Sequence, residues 1–424
     1  MAKLNASKIP VLKQICELIP THMAAILGRE YGCEKRARTF TVWSHAVAMI
    51  YAQLARVTGL NDLCDDLSIH SGPLSSVRGA KAPVRNTLSH ANKVRNAGMA
   101  KALFWKLKVY FESTYSGFNR GRRYIALDKR IKSVVHAVDS TTIELIANCL
   151  DWARHRRKKA AAKLHMNLNL NSCIPAFALI DSAKGHDSTK AAELCSELNN
   201  GDTVVFDMAY IDFGFFWDLD QRGVNWVTRR KSNIKYTVAK NLSKPKDRIL
   251  KDCLIRLKNP KTKAEYPQTF RLVRAIVEID GEDREMEFIT NNTKWSASTI
   301  AMLYKCRWAV EVFFKEIKQN LKLCDFLGNS ANAVQWQVWM ALVTWLLTRF
   351  LSYISSCPQS FTRVFNILRA TLWYKLDIKA VLARLNCGTA CGPPSTSKGR
   401  AALDLGPWLP GLEPCQTSST ATMG

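Results

Sequence analysis

The sequence predicts an α/β protein: a mixed sheet with helices on it, preceded by an all-helical region. Three observations carry this reading. From about residue 8 to 115, apolar residues recur at helical spacing, as in AVAMIYAQLARVTGLNDLCDDL and KALFWKLKVYFEST. From about residue 130, short β-branched and alternating runs take over, interleaved with helical stretches. Their order is three strands, helix, strand, helix, strand, a basic strand-rich stretch, strand and helix, which describes an antiparallel meander followed by parallel strands.

Taken in order, VVHAV (134–138) is the first strand. HMNLNL (165–170) alternates and IPAFALI (174–180) is apolar, so these two complete the meander. STKAAELCSELN (188–199) is an amphipathic helix, TVVF (203–206) a buried strand, 211–222 a helix and VNWVT (224–228) a strand. Residues 229–284 are basic and strand-rich. Within them RLVRAIVEI (271–279) alternates, and Asp280-Gly281 signals a hairpin turn. EMEFIT (285–290) leads into a helix from about 297 to 320. With 229–284 set aside as an insertion, this is the element order of a ribonuclease-H-like core.

The chain has 424 residues, with 61 Lys+Arg against 35 Asp+Glu and a formal net charge of +26. Its 47% hydrophobic and 23% charged content is ordinary and excludes a collagen, a disordered tail protein or a small disulfide scaffold. The charge excess points to a polyanion, either nucleic acid or an anionic membrane. The N-terminal stretch has no long apolar run with a cleavage site, so no signal peptide is expected. The apolar run 334–354 nearly has the length of a membrane span. However, Gln335, Gln337, Thr344, Thr348, Arg349 and Ser352 within it favour a buried core helix. The 13 cysteines are odd in number, scattered and without a CxxC pair, as expected of reduced thiols in the cytoplasm. Inside a cell the polyanion is DNA or RNA rather than membrane. In the helical region Lys35, Arg36, Arg38, Arg78, Lys81, Arg85, Lys93 and Arg95 suit DNA contacts, or equally a solvated face.

Three acids stand out. Asp139 ends the first strand, in VVHAVDST, and Asp207 ends TVVFD. Strands often stop at Asp because it favours turns, but these two strands lie side by side in the inferred sheet, where ligands of open α/β sheets bind. The third element is YKCRWAVEVFFKEIK. At about 100° per residue, Tyr304, Arg307, Glu311 and Lys318 share about 60° of the helix surface. That face carries a phenol, two cations and an acid on an otherwise apolar helix. Hard carboxylate oxygens suit Mg2+ or Mn2+, and two such ions support phosphodiester displacement. Arg307 and Lys318 would meet phosphates.

The spacing Y-x2-R-x3-E-x6-K resembles the YREK signature of DDE transposases of insertion-sequence family four. Asp139 in VDST and Asp207 in FDMAYID match the places of that family's two catalytic aspartates. ARTFTVWSHAVAMIYAQLARVTGLNDL resembles its N-terminal domain, KLHMNLNL its basic stretch after the first Asp, and FITNN the strand end before the YREK helix. The resemblance covers about residues 20–385. It implies cut-and-paste DNA transposition with Asp139, Asp207 and Glu311 as catalytic and metal-ligating residues, and with Mg2+ or Mn2+, two ions, as cofactor. It also implies DNA partners (terminal inverted repeats and target DNA) and a homodimer assembled on DNA. Tyr304, Arg307 and Lys318 would grip a phosphate beside a flipped base, and Trp308 matches a Trp of relatives. Met286 and Phe288 stand where some relatives carry another Trp, which leaves the stacking residue open.

Other basic residues extend the expected DNA contacts. Arg154, Arg156, Arg157, Lys158 and Lys159 form the densest cluster, which would bind backbone in a salt-dependent way. Lys163 and His165 alternate along a strand, so both face one side and are expected to meet phosphate. His136 points to the opposite face from Asp139 and is expected to pack. Thr141 and Thr142 begin a turn. Asp212 starts a helix, and Glu316 is turned about 140° from Glu311, which excludes it as a ligand. The expected organisation is a helical DNA-binding domain at 1–125, the core's first part at 126–228, a β-rich insertion at 229–284 and the core's second part with C-terminal helices at 285–387. A tail with six Gly and five Pro at 388–424 is expected to be disordered. The same residues also fit a metal-dependent nuclease that does not join strands, or an inactive DNA-binding derivative.

Overall fold

Helical periodicity in the first 115 residues produces, among the described residues, seven helices: α1 (Val11–Cys16), α2 (Met23–Glu30), α3 (Val42–Ala55), α4 (Leu60–Ile69), α5 (Ser71–Ser75), α6 (Arg85–Val94) and α7 (Gly98–Thr114). The structure is a computed structural model that describes residues 7–34, 39–120, 131–145, 160–182, 187–279, 281–321 and 327–385. Helix α3 starts where the Thr41 hydroxyl accepts from the Ser44 N–H at 3.0 Å, satisfying an end-of-helix donor. It is buried almost all round, so it is the centre of its layer rather than a surface helix.

The second half alternates strands and helices. In order come β1 (Val135–Leu145), β2 (Ala160–Asn169), β3 (Ile174–Ser182), α8 (Ser188–Leu194), β4 (Thr203–Phe206), α9 (Phe213–Gln221) and β5 (Asn225–Arg229). Then follow β6 (Tyr236–Ser243), β7 (Ile249–Leu257), α10 (Pro260–Glu265), β8 (Phe270–Ile279) and β9 (Glu282–Thr290). The last helices are α11 (Ala297–Cys306), α12 (Trp308–Asn320), α13 (Ala331–Ile354), α14 (Phe361–Thr371) and α15 (Ile378–Arg384).

All nine described strands form one sheet in the order β3-β2-β1-β4-β5-β9-β8-β7-β6. Strands β1 to β3 pair antiparallel, β1-β4 and β4-β5 are parallel, and β5-β9 returns to antiparallel. The meander followed by parallel strands is thus present. The 229–284 stretch contributes β6, β7 and β8, which extend the same sheet through β9. The β8–β9 turn contains Gly281 at a φ of 75°, a conformation glycine adopts without penalty; Asp280 lies outside the described residues.

The central strands are covered on both faces, which is why they read as continuous apolar runs. Val135, Ala137, Val205 and Val227 enter one core with the N-terminal and C-terminal helices. Val138, Val204, Phe206 and Trp226 enter a second core with α8 and α9. Helix α13 is buried, as its polar positions implied, and packs against α3 and α7, with Phe111 and Phe350 stacked at 3.7 Å between ring centroids. No helix among the described residues is long and apolar enough to cross a membrane. The eight cysteines among the described residues are all buried.

Two expectations change. Strand β1 does not end at Asp139; it continues to Leu145 because β2 goes on pairing with it, Thr141 opposite Leu164 and Thr142 opposite Lys163. Thr141 and Thr142 therefore lie in the strand and begin no turn. The expected helix 297–320 is broken at Arg307, where Arg307 N–H bonds Tyr304 O at 3.1 Å and Val310 N–H bonds Arg307 O at 3.0 Å. Such tight three-residue turns inside a helix often mark function. The 388–424 tail lies outside the described residues.

Candidate active site

Parallel register brings the first two acids together. The last β1-β4 pair is Val138 opposite Phe206. Asp139, within β1, and Asp207, just past the end of β4, directly follow this pair, so both stand where the parallel pairing stops. Asp207 then caps a short turn, Met208–Tyr210, by accepting from the Ala209 N–H at 3.2 Å. Asp139 accepts from the Ser140 N–H at 2.8 Å.

Helix α12 supplies the third acid. Its apolar residues Val310, Phe313, Phe314 and Ile317 are buried, which turns the opposite face outward over β1. One cleft of about 530 Å³ is lined by Asp139, Asp207, Arg307, Glu311 and Lys318, together with Ser140, Thr141, Phe314, Lys315 and Gln319. Three carboxylates from three separate elements thus face one space. Arg307 sits between two of them: one Nη donates to Asp139 at 2.5 Å and the other to Glu311 at 2.7 Å. Arg307 is 6% exposed, and its Nε has no hydrogen-bond partner among the described residues.

Burial dominates the electrostatics. It pushes the Asp139 carboxyl up to about 6, against the pull of Arg307 and the Ser140 N–H, with Asp207 and Glu311 adding to the rise. Burial opposes the charge on Arg307, but Asp139, Tyr304, Glu311 and Asp207 outweigh it, and its pKa rises.

Carboxylate oxygens are the donor chemistry that Mg2+ or Mn2+ prefers, and Asp139, Asp207 and Glu311 share the cleft. Among the described residues, no three His, Cys, Asp or Glu are drawn together as a ready-made ion site. The Arg307 guanidinium is ion-paired with both Asp139 and Glu311.

Of the expected DNA-contact residues, Lys318 lines the cleft. Tyr304 is 6% exposed and packs on Phe288, ring centroids 5.1 Å apart, with the Arg307 guanidinium 5.6 Å from the tyrosine ring. It is thus set back behind Arg307 and does not line the cleft. Trp308 is half-buried at the start of α12. Lys163 and His165 do face one side of β2, yet they meet an acid: Lys163 bonds Asp187 at 2.6 Å. His165 is 2% exposed, with Nδ1 at 3.2 Å from the Tyr210 hydroxyl and 3.8 Å from Asp187. A phosphate contact by His165 is corrected accordingly, since α8 covers that face of β2. Burial lowers its pKa to about 4, against the opposing pull of Asp187. Arg154, Arg156, Arg157, Lys158 and Lys159 lie outside the described residues, as do Lys35, Arg36 and Arg38.

His136 packs as expected, bonded to Asn167 Oδ1 at 2.8 Å. Asp212 caps α9 by accepting from the Phe215 N–H at 2.9 Å. Glu316 points away from the cleft and accepts from Trp345 Nε1 at 3.2 Å. Lys315 went unremarked in the sequence, although its place four residues after Glu311 puts it on the same helix face. Ser140 and Thr141 reach the cleft only because β1 continues past Asp139, and no local signal marks that.

Comparison with known proteins bears on this site. The family described as Transposase DDE domain matches residues 131–347, just over half of the chain. A second family, described as a domain of unknown function (DUF4372), matches residues 7–77. The y4zB protein of Sinorhizobium fredii, named as a transposase, is 28% identical over 255 residues, which cover 59% of this chain and 70% of that one. A Geobacillus stearothermophilus protein named as a transposase for insertion sequence element IS5377 is 29% identical over 52% of this chain and 58% of its own. Transposase InsG for insertion sequence element IS4 of Escherichia coli is 21% identical over 44% of this chain and 43% of its own.

Proposed function

Since this chain belongs to the DDE transposase family, and so to enzymes of DNA cleavage and strand transfer, we propose that it catalyses cut-and-paste transposition of an insertion sequence. It binds the element's terminal inverted repeats, cleaves there and joins the freed 3′ end to target DNA. The observation that carries this is the meeting of Asp139, Asp207 and Glu311 in one cleft beside Arg307 and Lys318.

The roles follow from chemistry. Asp139, Asp207 and Glu311 would hold Mg2+ or Mn2+, as two ions. Bound there, the metal supplies activation of the attacking hydroxyl and stabilisation of the leaving oxygen. Arg307 and Lys318 bind the phosphates flanking the scissile bond, Arg in bidentate fashion and Lys as a point charge. Tyr304 stiffens Arg307 from behind. Trp308 and Lys163 contact the DNA end, and the Arg154–Lys159 cluster adds non-specific backbone attraction.

The sheet from β1 to β5 with α11 and α12 is read as a ribonuclease-H-like core, 229–284 as its β-rich insertion and residues 1–125 as the helical DNA-binding domain. The active assembly is a homodimer on paired DNA ends. The strand order and the family match support the reading of the core, and the surplus of 26 positive charges supports a DNA partner.

The test is a joining assay. The protein is incubated with Mg2+, a duplex carrying the inverted ends that flank its open reading frame, and a supercoiled plasmid. The expected product is the cleaved 3′ end covalently linked to the plasmid. Wild-type joining by Glu311→Ala overturns the assignment of the site, and cutting without joining replaces it with a nuclease.

A further inference from the structure

Helix α3 ends in an unusual way. Arg56 follows its last residue with φ 59° and ψ 41°, the left-handed region. Helices commonly end so on glycine, whereas another L-residue there costs about 1 kcal/mol. A residue held in that region against its preference is a pointer to use elsewhere. The side chain supplies the use. Its Nε donates to Asn320 O at 3.1 Å, and one Nη donates to Gln319 O at 3.0 Å and reaches Asn320 Oδ1 at 3.4 Å.

Those carbonyls close α12, the helix that carries the cleft. The final carbonyls of a helix have no partner within it, and a cation at that end is favoured by the helix dipole. The contact is also braced. The guanidinium lies 5.5 Å from the Phe365 ring, and Asn320 Nδ2 donates to Thr362 Oγ1 at 3.2 Å, both on α14.

The consequence concerns geometry at the cleft. Six of its ten lining residues (Arg307, Glu311, Phe314, Lys315, Lys318 and Gln319) lie on α12 or at its first turn. Gln319 both lines the cleft and accepts from Arg56. The axial position and roll of this one helix therefore set where Glu311 and Lys318 stand relative to Asp139 and Asp207. At its other end α12 is held to β1 by the Arg307–Asp139 ion pair, which a phosphate would compete for. The Arg56 anchor does not depend on that competition.

We propose that Arg56 is a positioning residue, through which the N-terminal helical region holds the active-site helix in register; this rests on the transposase reading above. Arg56→Gly is the informative substitution, because it removes the guanidinium while relieving the backbone. Arg56→Lys is the conservative control. The expected result for Arg56→Gly is a thermal midpoint near wild type and a Kd for the DNA end within about twofold, with turnover at saturating DNA down about tenfold. Hydrogen exchange at the last-turn amides of α12 should quicken by about fivefold or more. Arg56→Lys should recover part of both. Wild-type turnover with unchanged exchange in Arg56→Gly overturns the proposal, as does a loss explained wholly by unfolding or weaker DNA binding. If the wild-type protein itself neither cuts nor joins DNA, the transposase reading falls, and the exchange measurement alone then judges Arg56.

Discussion

Arg307 and Asp139 lie 168 residues apart in the chain and meet at 2.5 Å inside the cleft. The same guanidinium reaches Glu311 at 2.7 Å. The cleft therefore carries its own cation, placed between two of the three acids. Two consequences follow for Arg307→Gln: the acids lose their neutralising partner, and the phosphate loses its bidentate donor. Mn2+ titrated into the protein without DNA should bind about tenfold more tightly to the variant, by removal of a competing positive charge. Joining should nevertheless fall by about 100-fold or more, since transition-state charge is no longer met. Calorimetry and the joining assay read the two separately. Unchanged Mn2+ affinity would show that Arg307 does not compete for the acids.

Lys318 lines the cleft from the last turn of α12. As a phosphate contact it acts without regard to sequence. Lys318→Ala should weaken binding of the cognate end and of unrelated duplex alike, and lower the slope of log K against log salt by about 1. Anisotropy titrations across a salt series measure this, and an unchanged slope would remove Lys318 from the DNA interface.

His165 is buried beside Tyr210 and Asp187, and its pKa is lowered to about 4. The unfolded chain binds a proton at His165 below about pH 6.5, while the folded chain resists it until about 4. The stability contributed is complete above about pH 6.5 and is lost as pH falls toward 4, amounting to about 2 kcal/mol by pH 4.5. Urea unfolding at pH 7.0 and 4.5 should show this loss, and His165→Gln should reduce it. An equal pH dependence in the two proteins would contradict the assignment.

Asp252 and Arg271 are each 4% exposed and form a two-pronged ion pair at 2.7 and 2.8 Å between β7 and β8. Arg271 also donates to Trp295 O at 2.6 Å, tying these strands to the loop before α11. Asp252→Ala leaves a buried guanidinium unmatched and should cost about 3–5 kcal/mol. Replacing both residues with apolar side chains should cost much less, as denaturant midpoints would show.

Local pattern determined a good deal of this protein. A short buried apolar run marked TVVF, which is β4 with the same bounds. Helical periodicity placed Tyr304, Arg307, Glu311 and Lys318 on one face; the last three line the cleft, whereas the break at Arg307 sets Tyr304 back from it. The two aspartates were legible from where apolar runs stop. What only the tertiary structure decided depends on partners far along the chain. Asp139 stands at the cleft because β4 stops pairing at Phe206 while β2 continues past it. His165 is closed off because Tyr210 and Asp187 close over it, 45 and 22 residues on. Arg56 reaches Asn320 across 264 residues, and no spacing within either helix announces it. Periodicity reports which face of an element is apolar; burial and pairing between elements decide which polar groups on the other face meet, and so which of them can act.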